Sequence, residues 1–485
     1  MPGNFRGLVA VVAGMTTTES WAWNEFGGAQ LGDERRTRRA VSLAQAAAEL
    51  PAGKVAAVFG SDAEREGAFR FVRNSKVSVR ALARSSHEAN LRRCTEGSVF
   101  FVAVDQSSVG LTDCTGQKGF GPVASCDSKR RRGLQAMTAL AVSEEGRVMG
   151  VCGQRWWRRS DRRSPVWDYD RRPAVERESS LWLDVIDDVE SALASTNIPA
   201  RPWYQLDRGG DYWRVLLEAS RRQLLITVRA AYDRAVGSRH HDRLKAAVSS
   251  QRRLATFDHY LRPAAAKRAG HSHLRARHLQ VRACKLALKL SDRADHKGCH
   301  AQFVDYWVVH LRESRPPRGA ERLEWFLLTT YPIESAAAAL QVCRGYTLRW
   351  RVEEFHKTWK SGACNVESSQ LRSCDNFQRW ATILAAVASR IERLKHVARN
   401  NPTASALDIA TRDEIDGAIT LTKRCKYPLG HNLTAEQFVL LVAKIGGYTG
   451  KSSGGPPGSI TIGRGLDRVL AAATALAAVR RTPKK

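Results

Sequence analysis

Two acidic residues, Asp105 and Asp207, close short apolar runs that read as buried strands, SVFFVAVDQSS (98–108) and RPWYQLDRGG (201–210). A third acid, Glu353, lies far downstream in a stretch of helical character. In-line attack of water or a 3′-hydroxyl on a phosphodiester is helped by two divalent ions ~4 Å apart, flanked by carboxylates. Mg²⁺, or Mn²⁺ in its place, takes hard oxygen ligands, so Asp and Glu suit that chemistry where Cys and His do not. An acid at a strand end can equally be an ordinary loop-facing residue, and the pattern of the two aspartates alone leaves both readings open.

The surroundings of Glu353 are more specific. In YTLRWRVEEFHKTWK, Tyr346, Arg349, Glu353 and Lys360 stand at i, i+3, i+7 and i+14. At ~100° per residue they fall within an arc of ~60° on one helix face, with Lys357 beside them. A salt-bridged solvent face would look similar. A carboxylate flanked by phosphate-binding cations is also what a nuclease that grips a DNA end requires. Two strand acids and one helical acid form the layout of an RNase H-like core.

These residues need a scaffold. QAMTALAVS (135–143) and VMGVCGQRW (148–156) are predicted as further strands, turning at Glu145-Gly146, after a basic loop KRRRG (129–133). ESSLWLDVIDDVESALAS (178–195) and DYWRVLLEASRR read as helices, LLITVR (224–229) and WFLLTTYP (325–332) as strands. Residues 235–318 are rich in Arg and His with strand-like pieces and read as a β-rich insertion. Residues 335–362 are expected to form one long helix, and 376–398 an amphipathic one. The chain after about 400 reads as helical, with a Gly/Ser/Pro-rich loop at 446–458. The expected class is α/β: an RNase H-like catalytic core of 86–400 with the insertion at about 235–318. It is flanked by an N-terminal helical DNA-binding region, 1–85, and a C-terminal helical dimerisation region, 401–485. Residues 1–14 precede Met15 and are expected to be either a disordered extension or the product of a misassigned start, and in both cases dispensable for folding and end binding.

Charge points the same way. The 485 residues carry 77 Lys and Arg against 48 Asp and Glu, a net charge of +29, and the excess is spread along the chain. A globular protein this basic repels itself, so a polyanionic partner is the expected counterpart. In the N-terminal region, LGDERRTRRAVSLAQAAAEL offers Asp33 as a helix cap followed by Arg35 and Arg36, and EREGAFRFVRN sets Arg70 and Arg73 on one face. These are candidate phosphate contacts. No run approaches the ~20 apolar residues of a membrane span, and a cytoplasmic location is expected. Ten scattered cysteines without a C-x-x-C pair fit reduced thiols, and the His271, His273, His278, His296, Cys299, His300 group fits no standard zinc spacing.

The block Tyr346, Arg349, Glu353, Lys360 resembles the signature of the YREK-type DDE transposases of bacterial insertion sequences, the insertion-sequence-four family. LGD-x-RRT (31–37), EGAFRFVRN (66–74), AVDQSS (103–108), the E-x-E-S-x-x-W-L stretch (176–183), LDRGGD (206–211) and WFLLTTYPIES (325–335) follow in the same order. IGGY (445–448) is a weaker echo near the end of the chain. The resemblance implies a cut-and-paste transposase in the bacterial nucleoid, a homodimer that binds terminal inverted repeats. Asp105, Asp207 and Glu353 would be catalytic ligands of two Mg²⁺. It further implies that Tyr346, Arg349 and Lys360 hold the transposon end near a flipped base, that Trp325 stacks on that base in a hairpin intermediate, and that Arg229 contacts end DNA. Two alternatives stay open: a non-catalytic or inhibitory transposase-derived DNA-binding protein, and a structure-specific RNase H-like nuclease.

Overall fold

The computed structural model describes residues 17–113, 116–123, 132–160, 178–238, 240–260, 276–291, 302–316, 322–450 and 457–481. The dispensable-extension reading of 1–14, most of the KRRRG loop and all of the His/Cys group except His278 lie outside them; His278 pairs with Asp258 at 2.5 Å.

Among the described residues five helices come first: α1 (Thr17–Phe26), α2 (Glu34–Glu49), α3 (Val55–Val58), α4 (Asp62–Arg73) and α5 (Val79–Leu91). Asp33 caps α2 as expected, its carboxylate accepting from the Arg35 amide. Ser61 and Glu64 form a capping box on α4. Next come β1 (Val99–Leu111), β2 (Gly121–Pro122), β3 (Arg132–Val142), β4 (Val148–Trp157), α6 (Leu181–Leu193), β5 (Arg201–Leu206), α7 (Trp213–Arg221) and β6 (Leu225–Arg229). A β-rich stretch follows with α8 (Leu244–Ser249), β7 (Ala255–Tyr260), β8 (Ala276–Leu290), β9 (Gln302–Glu313) and β10 (Glu324–Thr329). The chain ends in α9 (Ala336–Leu348), α10 (Trp350–Lys360), α11 (Cys374–Asn400), α12 (Arg412–Leu421), α13 (Ala435–Ile445) and α14 (Ser459–Arg481).

All strands among the described residues join one mixed sheet of order β2-β3-β1-β5-β6-β10-β9-β8-β7, with β4 also on β3. β1, β5 and β6 run parallel, β3 and β4 are antiparallel on one side, and the β10-to-β7 strands continue the sheet antiparallel on the other. The β-rich stretch after β6 therefore widens the central sheet. At Gly133 the β3 backbone runs so close to β1 that a Cβ would meet the Val109 carbonyl at 1.9 Å.

Period-two alternation sorts the central strands into two cores. Phe100, Val102, Val104, Tyr204, Leu206, Ile226 and Val228 face α6 and α7, against Trp182, Ile186, Val189 and Val215. Phe101, Ala103, Trp203 and Leu327 face the other way, into the core shared with α9, α10 and α11.

Two expectations need correction. β1 continues to Leu111, so Asp105 lies inside the strand and not at its end, because antiparallel pairing with β3 extends to Arg132. The expected single helix of 335–362 is two helices meeting at Arg349. There the backbone keeps helical angles, but the bonds tighten to Arg349 N–H to Tyr346 and Val352 N–H to Arg349. Helix α11 is buried nearly all round, its polar side included, since α2, α4, α5, α13 and α14 surround it. Two residues of its first turns bind the N-terminal helices: Arg379 donates to the Val77 and Val72 carbonyls at 2.7 and 3.0 Å, and Trp380 to Gly53 at 3.0 Å. Those bonds tie the N-terminal helices to the core, and losing the fully buried Trp380 ring would cost about 3–5 kcal/mol. No helix among the described residues is long and apolar enough to cross a membrane.

Candidate active site

The parallel register of β1, β5 and β6 decides where the site lies. Val104 pairs with Leu206 and Leu206 with Val228, so the next residues, Asp105, Asp207 and Arg229, form one row across three neighbouring strands. Arg229 in turn pairs with Leu327 of β10, and Trp325 stands two residues along on the same face. Alternation sends this whole row to the side covered by α9 and α10. Asp207 ends β5 and caps the turn at 208–210, accepting from the Gly209 amide at 2.8 Å. A Cβ on Gly209 would press on both the Asp207 carboxylate and the Trp182 ring at 3.1 Å.

From above, the α9–α10 junction lowers Tyr346, Arg349 and Glu353 onto the row. The Arg349 guanidinium, 12% exposed, bridges two acids: Nη2 lies 2.7 Å from Glu353 and Nη1 3.8 Å from Asp105. That buried Nη1 makes no hydrogen bond. Burial opposes the guanidinium charge, but Tyr346, Asp105 and Glu353 outweigh it and hold Arg349 firmly protonated. Asp105 stands in the opposite position. Burial pushes its carboxyl up to about 7; Arg349 pulls it down, while Asp207 and Glu353 add repulsion. The three carboxylates thus feel one another's charge, and Arg349 neutralises them only in part.

The rest of the expected face assembles around them. The Tyr346 hydroxyl lies within the electrostatic reach of Arg229 and Arg349, and burial outweighs their pull and raises its pKa. Trp325 meets Tyr346 edge to face at 5.3 Å, with the Arg229 guanidinium 5.8 Å from its ring. Lys360 donates to Ser107 Oγ at 3.2 Å, two residues beyond Asp105 on the same face of β1. Lys357 is exposed one turn away. Sequence reasoning missed Glu367, which accepts from the Gly110 amide at 3.0 Å and lies 3.6 Å from Lys360. It also missed His259, whose ring meets Trp325 at 5.5 Å. Neither sits in a readable spacing, because each reaches the site only through the folding of a short turn or of the β7 strand.

Among the described residues no three His, Cys, Asp or Glu side chains stand close enough to hold an ion as they are. The donor set nevertheless suits Mg²⁺ or Mn²⁺: hard oxygens, incompletely neutralised negative charge, and an Asp105 carboxyl that a dication would keep ionised.

The N-terminal arginines form a second feature. Arg35, Arg36, Arg39 and Arg70 line one groove between α2 and α4, together with Glu66, Phe71 and Asn74. Arg35 and Arg70 are largely exposed, and their ion pairs with Asp33 and Glu66 are surface pairs of little strength. Arg73 stands apart from the groove lining, its guanidinium 5.0 Å from the Phe69 ring.

Residues 18–77 match the transposase DNA-binding family, and residues 210–389 match the transposase DDE domain. The first match contains the arginine groove and supports DNA as a partner. The second contains Arg229, Trp325, Tyr346, Arg349, Glu353, Lys357 and Lys360 but begins just after Asp207, so neither aspartate lies within it. A DDE domain implies an RNase H-like core, and such domains generally use divalent metal ions. Together the two matches support a DDE transposase family for this chain, with a transposase DNA-binding domain ahead of a DDE domain.

Proposed function

We propose that this chain is a cut-and-paste DNA transposase of the insertion-sequence-four family, with motifs that resemble those of the transposase of transposon five. It binds terminal inverted repeats, cleaves the element ends through a hairpin intermediate and joins the 3′-hydroxyls to target DNA. The observation that carries this reading is the convergence of Asp105, Asp207 and Glu353, with Arg349 bridging two of them and Tyr346, Arg229, Trp325 and Lys360 around them.

The three carboxylates would hold two Mg²⁺ ions, Mn²⁺ serving in their place; bound there, the ions supply Lewis-acid assistance to attack on the phosphodiester. The chain's own groups do the holding. Arg349 and Lys360 offer charged donors to backbone phosphates, Lys360 from beside Ser107, and Lys357 extends the cationic face towards solvent. Arg229 and Tyr346 add donors on the Trp325 side. The Trp325 ring gives an unstacked base an aromatic surface at the edge of the same row. Arg35, Arg36, Arg70 and Arg73 bind duplex phosphates outside the catalytic face. We assign the DNA-binding region to 1–85, the catalytic region to 86–400 and the dimer contacts of a paired-end complex to 401–485, acting in the bacterial cytoplasm at the nucleoid.

The test uses DNA from the flanks of the gene, where this reading expects short inverted repeats. Asp105→Asn, Asp207→Asn and Glu353→Gln should each abolish strand cleavage with Mg²⁺ or Mn²⁺ while end binding persists. Cleavage at the wild-type rate in any one of them removes that residue from the site. Wild-type protein that binds the ends and never cuts them would favour the non-catalytic DNA-binding reading.

A further inference from the structure

A second cluster of guanidinium groups lies at the other end of the sheet. Glu96 precedes β1, and Arg147 and Met149 lie at the β3–β4 turn, beside the start of β1. Asp105 is ~20 Å of strand away from the start of β1, at the far end of the parallel strands. Here the N-terminal helices, the sheet and the C-terminal helices enclose a cleft of about 440 Å³, lined by Trp21, Arg93, Arg147, Arg390, Arg393 and Glu414 among others.

Three of its four arginines have carboxylate partners. Arg93 pairs with Glu25 at 2.5 Å, Arg147 with Glu96 at 2.5 Å and Arg390 with Glu414 at 2.6 Å. These acids are themselves committed: Glu25 also accepts from Ser86, and Glu414 closes the capping box of α12. Arg393 has no ion pair among the described residues, and its Nη1 reaches only the Met149 carbonyl, at 3.5 Å. Arg390, 7% exposed, keeps a buried Nη1 with no hydrogen bond while its guanidinium rests 5.1 Å from the Trp21 ring. A buried guanidinium N–H without an acceptor is costly, and neighbouring cations with too few acids leave a local positive excess. Burial, and then repulsion from Arg93, Arg390 and Arg147 only partly offset by Glu25, pulls the Arg393 pKa down to about 9.

We infer that this cleft is an oxyanion site, in which Arg393 and the free Nη1 of Arg390 bind a phosphate group, with Arg147 at the rim. The guanidinium fork matches a tetrahedral oxyanion, and the aromatic and aliphatic walls strengthen the attraction by excluding water. The phosphate is either free or a group on DNA; being at the far end of β1, it is not the phosphodiester held over Asp105.

Thermal melting of the full chain, with inorganic phosphate exchanged for chloride at constant ionic strength, tests the site. The wild type should gain a saturable rise in Tm. Arg393→Gln should lose at least half of that rise, and Arg147→Gln, altered at the half-exposed rim, should need severalfold more phosphate. If Arg393→Gln does not fold, Arg147→Gln and Arg393→Lys decide, the lysine variant retaining part of the rise. An equal rise in the wild type and in these variants overturns the proposal. A duplex lacking the inverted repeats then separates the sources. A salt slope of binding lowered by about 1 in Arg393→Gln identifies a DNA phosphate. An unchanged slope with a lost phosphate response identifies free phosphate.

Discussion

Replacing Asp105 by Asn should stabilise the metal-free protein, and the size of the gain follows from the site. The Asp105 carboxyl titrates at about 7 against an ordinary value of 3.8, first because it is buried and then because Asp207 and Glu353 repel it beyond what Arg349 offsets. A carboxyl whose folded pKa is raised contributes stability that is fully present below the unfolded value and is lost as pH rises through the folded one. Between pH 3.8 and about 7 the protein therefore loses up to ~4 kcal/mol at this residue, at ~1.4 kcal/mol per pH unit. Asn keeps the shape and removes the charge. Local relaxation should leave roughly half of the ceiling, ~2 kcal/mol at pH 8, and in a cooperative unit of 150–250 residues each kcal/mol is worth roughly 2–4 °C. Melting curves in EDTA at pH 8 should therefore place Asp105→Asn roughly 4–8 °C above the wild type, with the gap closing as pH falls towards 4. Added Mg²⁺ should raise the wild type and leave the variant nearly unmoved. No gain at pH 8, or one that is the same at pH 4, would refute the picture of Asp105 held among repelling acids.

Trp325→Ala should slow hairpin formation on a pre-nicked end by roughly tenfold to a hundredfold, the worth of one base–aromatic stack, with first-strand nicking much less affected. A parallel loss of both on a denaturing gel would make Trp325 a core residue for Tyr346 and not a base platform. Arg36→Ala and Arg70→Ala, in the α2–α4 groove, should each weaken end binding and lower its log-log salt slope by about 1 in gel-shift titrations. His87 is held neutral, its pKa pulled to about 4 by burial and then by Arg84, so its contribution is present above pH 6.5 and lost as pH falls towards 4. Urea melts at pH 7 and pH 5 should differ by less in His87→Gln than in the wild type.

The local chemistry of this chain was legible in its residues. Asp33 as a cap, the β3–β4 turn at Glu145-Gly146 and the strands between 276 and 313 all rest on short-range rules of capping, period and turn. These act within a few residues of one another and depend little on what the rest of the chain does. Where neighbours across the sheet intervene, the sequence alone misleads. β1 runs past Asp105 because β3 pairs with it as far as Leu111, and α11 is enclosed because helices from both ends of the chain pack on it. The row Asp105, Asp207, Arg229 exists only through the parallel register of β1, β5 and β6, and a slip of one residue would send the slipped side chain to the opposite face. The raised Asp105 carboxyl, the Arg349 bridge and the roles of Glu367 and His259 belong to the same class. Their energies depend on distances and burial between residues up to 257 positions apart, which no spacing in a sequence encodes.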